Sequence, residues 1–121
     1  MANILIVDDS PTEIHVLKTM LEKNGFTVSS ASSGEESIEK SKNEKPDLIL
    51  MDVVMPGMNG FQAARSITSD PETNEIPIII VSTKDQETDR MWGLRQGAKD
   101  YITKPAKEKD LVSKINTLLA G

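Results

Sequence analysis

The stretch Leu48-Ile49-Leu50-Met51-Asp52-Val53-Val54-Met55-Pro56-Gly57 decides the fold. Its first four residues are apolar without alternation, the pattern of a strand covered on both faces. The run ends on a carboxylate. An ionised acid is costly in a strand core, so Asp52 belongs at the strand's tip, facing other groups. Met55-Pro56-Gly57 then turns the chain away.

Four more short runs fit the same scheme, at residues 4–7, 27–31, 78–81 and 101–102. Those at 4–7 and 78–81 are again nearly continuous in Ile, Leu and Val. The run at 27–31 is more mixed and suits a sheet edge. The segments between the runs read as helices. Ser10-Pro11-Thr12-Glu13 offers an N-cap, a proline at the first helical position and a capping-box glutamate. Ile14, Leu17, Met20 and Leu21 form one stripe behind it, and Asn24-Gly25 stops the helix. Ser33-Gly34-Glu35-Glu36 opens a second helix to about residue 43, with little apolar surface beyond Ile38. A third starts near Asn59-Gly60, with Phe61, Ala64 and Ile67 inward, and ends before Asp70-Pro71. A fourth covers roughly residues 85–96, with Met91, Trp92 and Leu94 as its main apolar residues. The fifth, about 107–120, carries Leu111, Ile115, Leu118 and Leu119 at helical spacing. Strands alternating with helices predict an α/β fold, (βα)5, a doubly wound parallel five-stranded sheet with helices on both faces.

The 121 residues fit a single domain, 1–121, with one core. With only four aromatic residues outside histidine, that core must be aliphatic. No cysteine is present, which excludes disulfides and thiolate chemistry. A net charge of -5 argues against a nucleic-acid-binding role. The N-terminal apolar run is short and meets two acids at once, so neither a signal peptide nor a membrane span is expected, and the expected location is cytoplasmic.

In a parallel sheet the C-terminal strand ends share one edge, where function collects. That edge receives Asp8 and Asp9 after the first strand, Asp52 after the third, Ser82 and Thr83 after the fourth, and Lys104-Pro105 after the fifth. Each has an ordinary explanation alone, as a cap, a turn or a loop residue. Together they make a chemical set. Clustered carboxylates repel and raise one another's pKa; a hard cation such as Mg²⁺ relieves this. A carboxylate beside such charge can attack phosphorus, with an ammonium and a hydroxyl to meet the phosphoryl oxygens.

With these residues in place, the chain resembles the response-regulator receiver domains of the CheY type from end to end, on Asp8-Asp9, Asp52 with Met55-Pro56-Gly57, Ser82, Tyr101 and Lys104-Pro105. The resemblance implies a flavodoxin-like strand order of 2-1-3-4-5. It implies that Asp52 is the phosphoacceptor, and that Asp8, Asp9, Asp52 and the Val54 backbone carbonyl hold Mg²⁺. Lys104 would pair with the phosphoryl group, while Ser82 and Tyr101 would form the switch. The Lys104–Pro105 bond is often cis in the family. The donor would be a histidine kinase, and the protein a signalling monomer rather than an enzyme, catalysing only its own phosphorylation and dephosphorylation. With the fifth helix reaching Gly121, no effector domain is expected, and output would pass to a partner protein. The segments Asp85-Gln86-Glu87-Thr88-Asp89, Trp92-Gly93 and Arg95-Gln96-Gly97-Ala98 resemble regulators of type IV pilus chemosensory systems. That implies a hybrid chemosensory kinase and an output in twitching or chemotaxis-like motility. A phosphate sink and a phosphorylation-independent interaction module are the alternatives.

Three positions depart from common family usage: Val54 and Lys84, which flank the path of an attacking water, and Ala106, where an aromatic is usual. Trp92 is read as a partner anchor on a face shared with Tyr101, and His15 as a solvated residue. Among rivals, an aspartyl phosphatase of the haloacid dehalogenase type needs an acid two residues after its nucleophile, where Val54 stands. A flavodoxin would want amide and hydroxyl donors where this edge is rich in carboxylates.

Overall fold

The computed structural model describes residues 2–121. Five strands alternate with five helices: β1 (Asn3–Val7), α1 (Pro11–Lys23), β2 (Thr27–Ala31), α2 (Gly34–Glu44), β3 (Leu48–Met51), α3 (Gly60–Ser69), β4 (Ile78–Ser82), α4 (Glu87–Arg95), β5 (Asp100–Thr103) and α5 (Glu108–Ala120). The strands form one parallel sheet in the order 2-1-3-4-5, as expected. Ala31, Val7, Met51, Ile80 and Tyr101 stand side by side in one row across it. The next residues along β1, β3 and β4 are therefore neighbours at the same edge.

The pleat separates two cores. Ile4, Ile6, Leu48, Leu50, Ile79 and Val81 face Leu17 and Leu21 of α1 and Leu111 and Ile115 of α5. Leu5, Val7, Ile49, Met51, Ile78 and Ile80 face Phe61, Ala63, Ala64 and Ile67 of α3, with Ile38 of α2 packed at the margin. Continuous apolar strands are thus explained by cover on both faces.

Two helices differ from their sequence reading. α2 packs through buried serines: the Ser37 hydroxyl donates to the Gly34 carbonyl and the Ser41 hydroxyl to the Ser37 carbonyl, each at 2.6 Å. Bonded to their own helix, these hydroxyls enter the interior without an unpaired polar group. α4 begins at Glu87 rather than near Asp85, because the Asp89 carboxylate accepts the Gln86 backbone N–H at 3.2 Å and fixes the start there. Of its residues only Gly93 is buried. Met91 and Trp92 are 56% and 50% exposed.

Candidate functional site

The site is assembled at the C-terminal edge by strand ends of matched length. The Asp8 N–H donates to the Ala31 carbonyl at 3.1 Å, and the Asp52 N–H to the Val7 carbonyl at 2.9 Å. These bonds continue the ladder by one step and set both acids just past the apolar rows. Asp8 is 1% and Asp52 8% exposed, while Asp9 is exposed. One carboxylate oxygen from each of the three lies within 4.8 Å of the others.

Asp8 is held on both oxygens. Oδ1 accepts the Ser10 backbone N–H at 2.9 Å, and Oδ2 accepts from Lys104 Nζ at 2.7 Å. Asp52 has a looser hold: Oδ1 accepts the Val53 N–H at 2.8 Å, but Oδ2 stands 3.6 Å from the same ammonium. Burial, with Asp8 adding to it, lifts the Asp52 pKa above the ordinary carboxylate range despite the opposing pull of Lys104. Burial also disfavours the Lys104 ammonium, yet Asp8, Asp52 and Glu13 outweigh it and hold the lysine pKa above its ordinary value. The closer contact of Lys104 is with Asp8, at 2.7 Å against 3.6 Å to Asp52, so burial of Asp52 is only partly offset.

Lys104 is positioned by its backbone as well. Its N–H donates to the Ser82 carbonyl at 2.8 Å, and the Lys104–Pro105 peptide is cis. Ser82 is buried at the end of β4, its hydroxyl accepting the Lys84 N–H at 3.2 Å. The edge thus brings Asp8, Asp9, Asp52 and Lys104 into one charge cluster, with Ser82 on the adjoining strand end.

Other expected residues lie differently. Tyr101 is 8% exposed and donates its hydroxyl to the Lys84 carbonyl at 2.6 Å. Its ring packs beneath Gly93, where an added Cβ would come within 3.2 Å of it. Trp92 stands out in solvent beside α3. The sequence reading put both aromatics on one partner face; in this structure Trp92 is exposed and Tyr101 is buried. The Val54 side chain is 61% exposed on the loop after Asp52. Lys84 pairs with Asp89 at 3.7 Å. Ala106 borders a small cavity of about 70 Å³ that Leu17, Met20 and Val81 also line.

Two residues of the site were missed. Glu13 was read as a capping-box partner, yet its carboxylate stands 3.4 Å from Lys104 Nζ. The cap is made by the Ser10 hydroxyl alone, accepting the Glu13 N–H at 3.3 Å. Gly60 lies so close to the acid loop that an added Cβ would fall 1.8 Å from the Asp52 carbonyl oxygen. The pairing of Asn59-Gly60 with Met55-Pro56-Gly57 carried no sign of that approach.

The donor set fits a hard divalent cation, since it offers several carboxylate oxygens at close range with one acid open to solvent. Residues 4–116 match the response regulator receiver domain family, and the chain belongs to it. Over all 121 residues, and the whole of both chains, it is 60% identical to Protein PilH of Pseudomonas aeruginosa. It is 37% identical over 117 residues to the response regulator PleD of Caulobacter vibrioides, covering 97% of this chain and 26% of that one. Among solved structures, chemotaxis protein CheY4 of Vibrio cholerae superposes with a TM-score of 0.90 at 27% identity, over 98% of each chain. The receiver domain of a sensor histidine kinase from Pseudomonas aeruginosa, solved with a magnesium ion coordinated in its active site cleft, gives 0.92 at 28% identity, over 99% of this chain and 98% of that one. Among the described residues, no helix is long and apolar enough to cross a membrane.

Proposed function

We propose that this receiver takes a phosphoryl group from a histidine kinase onto Asp52 and signals to a separate partner protein. The similarity to PilH supports a role in the cytoplasm, in type IV pilus and twitching control. The observation that carries the chemistry is the convergence of three carboxylates and one ammonium at a single strand edge.

In the transfer, the Asp52 carboxylate attacks phosphorus and an acyl phosphate bond forms. The bond from phosphorus to the kinase imidazole breaks, and its electron pair stays on that nitrogen. Asp8, Asp9, Asp52 and the Val54 carbonyl would hold Mg²⁺, which supplies charge neutralisation at the phosphoryl oxygens. Lys104 meets another of these oxygens as a point charge, drawn from its contact with Asp8. The raised pKa of Asp52 marks a carboxylate short of stabilising partners in the resting state. Ser82 donates its hydroxyl to a third oxygen.

The loop after β4 gives this step a route outward. Ser82, the Lys84 N–H that it accepts, and the Lys84 carbonyl that holds Tyr101 lie within three residues. A shift of the Ser82 hydroxyl toward the phosphoryl group breaks its bond to Lys84 and perturbs the anchor of Tyr101. The phosphoryl group drives the change only by contacting one arrangement of this loop better than the other.

The test is reaction with acetyl phosphate and with a phosphorylated kinase domain, with and without Mg²⁺, on wild type and Asp52→Asn, read by intact mass. A gain of one phosphoryl group that needs Mg²⁺ and is lost in Asp52→Asn is expected. No gain from either donor, together with no response to Mg²⁺, would overturn the reading in favour of a phosphorylation-independent interaction module. Ser82→Ala should still accept the group but lose the change at Tyr101.

A further inference from the structure

The chain contains three arginines, Arg65, Arg90 and Arg95, all on α3 or α4 and all exposed, against nineteen acidic residues in the whole chain, of which Glu87 and Asp89 lie in the first turn of α4. Among the described residues none of the three is in an ion pair, while Lys23, Lys40, Lys42, Lys84, Lys104 and Lys114 all are. Arg65 lines an open groove of about 500 Å³ between α3 and α4, which Phe61, Trp92 and Gln96 also line. Arg95 flanks the other side of Trp92, together with Thr88 and Met91.

The two helices present matching stripes. Gln62, Arg65, Ser66 and Ser69 recur at i, i+3, i+4 and i+7 on α3; Thr88, Met91, Trp92 and Arg95 do so on α4. Neither stripe holds a carboxylate. At one end the helices are pinned: the Thr68 hydroxyl donates to the Gln96 carbonyl at 3.0 Å, and an added Cβ on Gly97 would fall 2.5 Å from that hydroxyl. The rest of the groove is open. α4 fully buries only Gly93, and its Met91 and Trp92 side chains are left exposed for something else.

We propose that the α3–α4 groove is a docking surface for an acidic amphipathic segment of a partner protein, which seats an apolar side chain against Trp92 and its carboxylates on Arg65 and Arg95. The charge selects this occupant. A partner segment rich in Asp or Glu meets two unpaired guanidiniums that can take carboxylates in bidentate pairs, whereas a basic segment meets repulsion. A second copy related by a two-fold axis would set this arginine-bearing surface against itself, with no carboxylate in either stripe to meet it. An apolar ligand alone would leave the arginines unused. Helix-in-groove recognition of this kind reads anchors at one face of the incoming helix, and a Trp with flanking Arg is the usual composition of an energetic centre. No residue lining this surface belongs to the carboxylate cluster, and the proposal does not depend on phosphorylation.

The test is binding of a fluorescein-labelled Glu/Leu amphipathic helical peptide, followed by anisotropy, with a Lys/Leu peptide of the same pattern as control. Trp92, the only tryptophan, gives a second readout through its emission. The acidic peptide should bind at least about tenfold more tightly than the basic one, a difference of about 1.4 kcal/mol, and should weaken with salt. Arg65→Glu with Arg95→Glu, both exposed, should abolish the preference without changing the thermal midpoint, and Trp92→Ala should weaken binding about tenfold or more. Equal binding of both peptides, or a preference that survives the double arginine variant, would overturn the proposal. So would self-association of the free protein that Trp92→Ala removes, which would make the groove a contact between copies.

Discussion

The hydroxyl of Tyr101 donates to the backbone carbonyl of Lys84 at 2.6 Å, across the gap between β5 and the loop after β4. Burial pushes this phenol's pKa above its ordinary value. The native protein thus holds the proton more tightly than the unfolded chain does. The resulting stability is complete below about pH 10 and is lost as pH rises through the folded pKa. Tyr101 is the only tyrosine, so its phenolate absorbance reports it alone. That absorbance should appear at higher pH in native protein than in urea, and Tyr101→Phe should flatten the alkaline loss of stability. The same variant should cost about 1 kcal/mol near neutrality for the lost bond.

In the absence of divalent cation, Asp52→Asn should make the protein more stable at neutral pH. Burial first, and Asp8 with it, raises the Asp52 pKa over the opposing Lys104. A carboxyl whose folded pKa is raised favours the native state below its unfolded value, about pH 4. That advantage disappears as pH rises through the folded pKa. The variant's gain in urea midpoint should therefore be present at pH 7 and fade in acid. Equal midpoints at pH 7 would mean that Lys104 fully offsets burial, and a loss in the variant that it outweighs it.

Mg²⁺ should raise the thermal midpoint, by an amount equivalent to about 2.7 kcal/mol at a hundredfold excess over its dissociation constant. Asp9→Asn should lose most of this shift, because its carboxylate is the exposed member of the cluster. Glu13→Gln should keep it, since Glu13 faces Lys104. An undiminished shift in Asp9→Asn would place the cation elsewhere.

Gly60→Ala should destabilise the fold by about 1–3 kcal/mol or more, as overpacking does. The new methyl would collide with the Asp52 carbonyl, a backbone atom that cannot rotate aside. Chemical denaturation gives the loss directly. A variant as stable as wild type would show that the acid loop yields easily.

The strands and their order of use were readable because a doubly covered strand leaves an unbroken apolar run, and an acid at its end has only one place to go. Asp8, Asp52, Ser82 and Lys104 are legible for that reason. Glu13 was not, because a glutamate three residues into a helix fits a cap as well as a distant lysine, and only the fold brings Lys104 within reach. Gly60 was hidden because close approach of two backbone segments has no sequence period. α2 was read as shallow because serine counts as polar in any pattern, although its hydroxyl can be satisfied within its own helix. Trp92 was visible as an oddity, but its side of α4 depended on where Tyr101 turned, and Tyr101 is buried.

The row Ala31–Val7–Met51–Ile80–Tyr101 makes the molecule unevenly tolerant of changes in length. One residue added within β3 would flip its alternation and carry Asp52 to the wrong side. The connections that enter the strands, at residues 24–26, 45–47, 70–77 and 96–99, lie at the opposite edge and bear on none of the charge cluster. Residues 70–77, the longest of them, are anchored by buried Thr73, whose hydroxyl donates to the Ile67 carbonyl at 2.7 Å, but that anchor too lies away from the strand ends that space the carboxylates. Grafts, tags and labels belong at that edge, on exposed positions such as Glu72 and Glu75, where they leave the charge cluster alone.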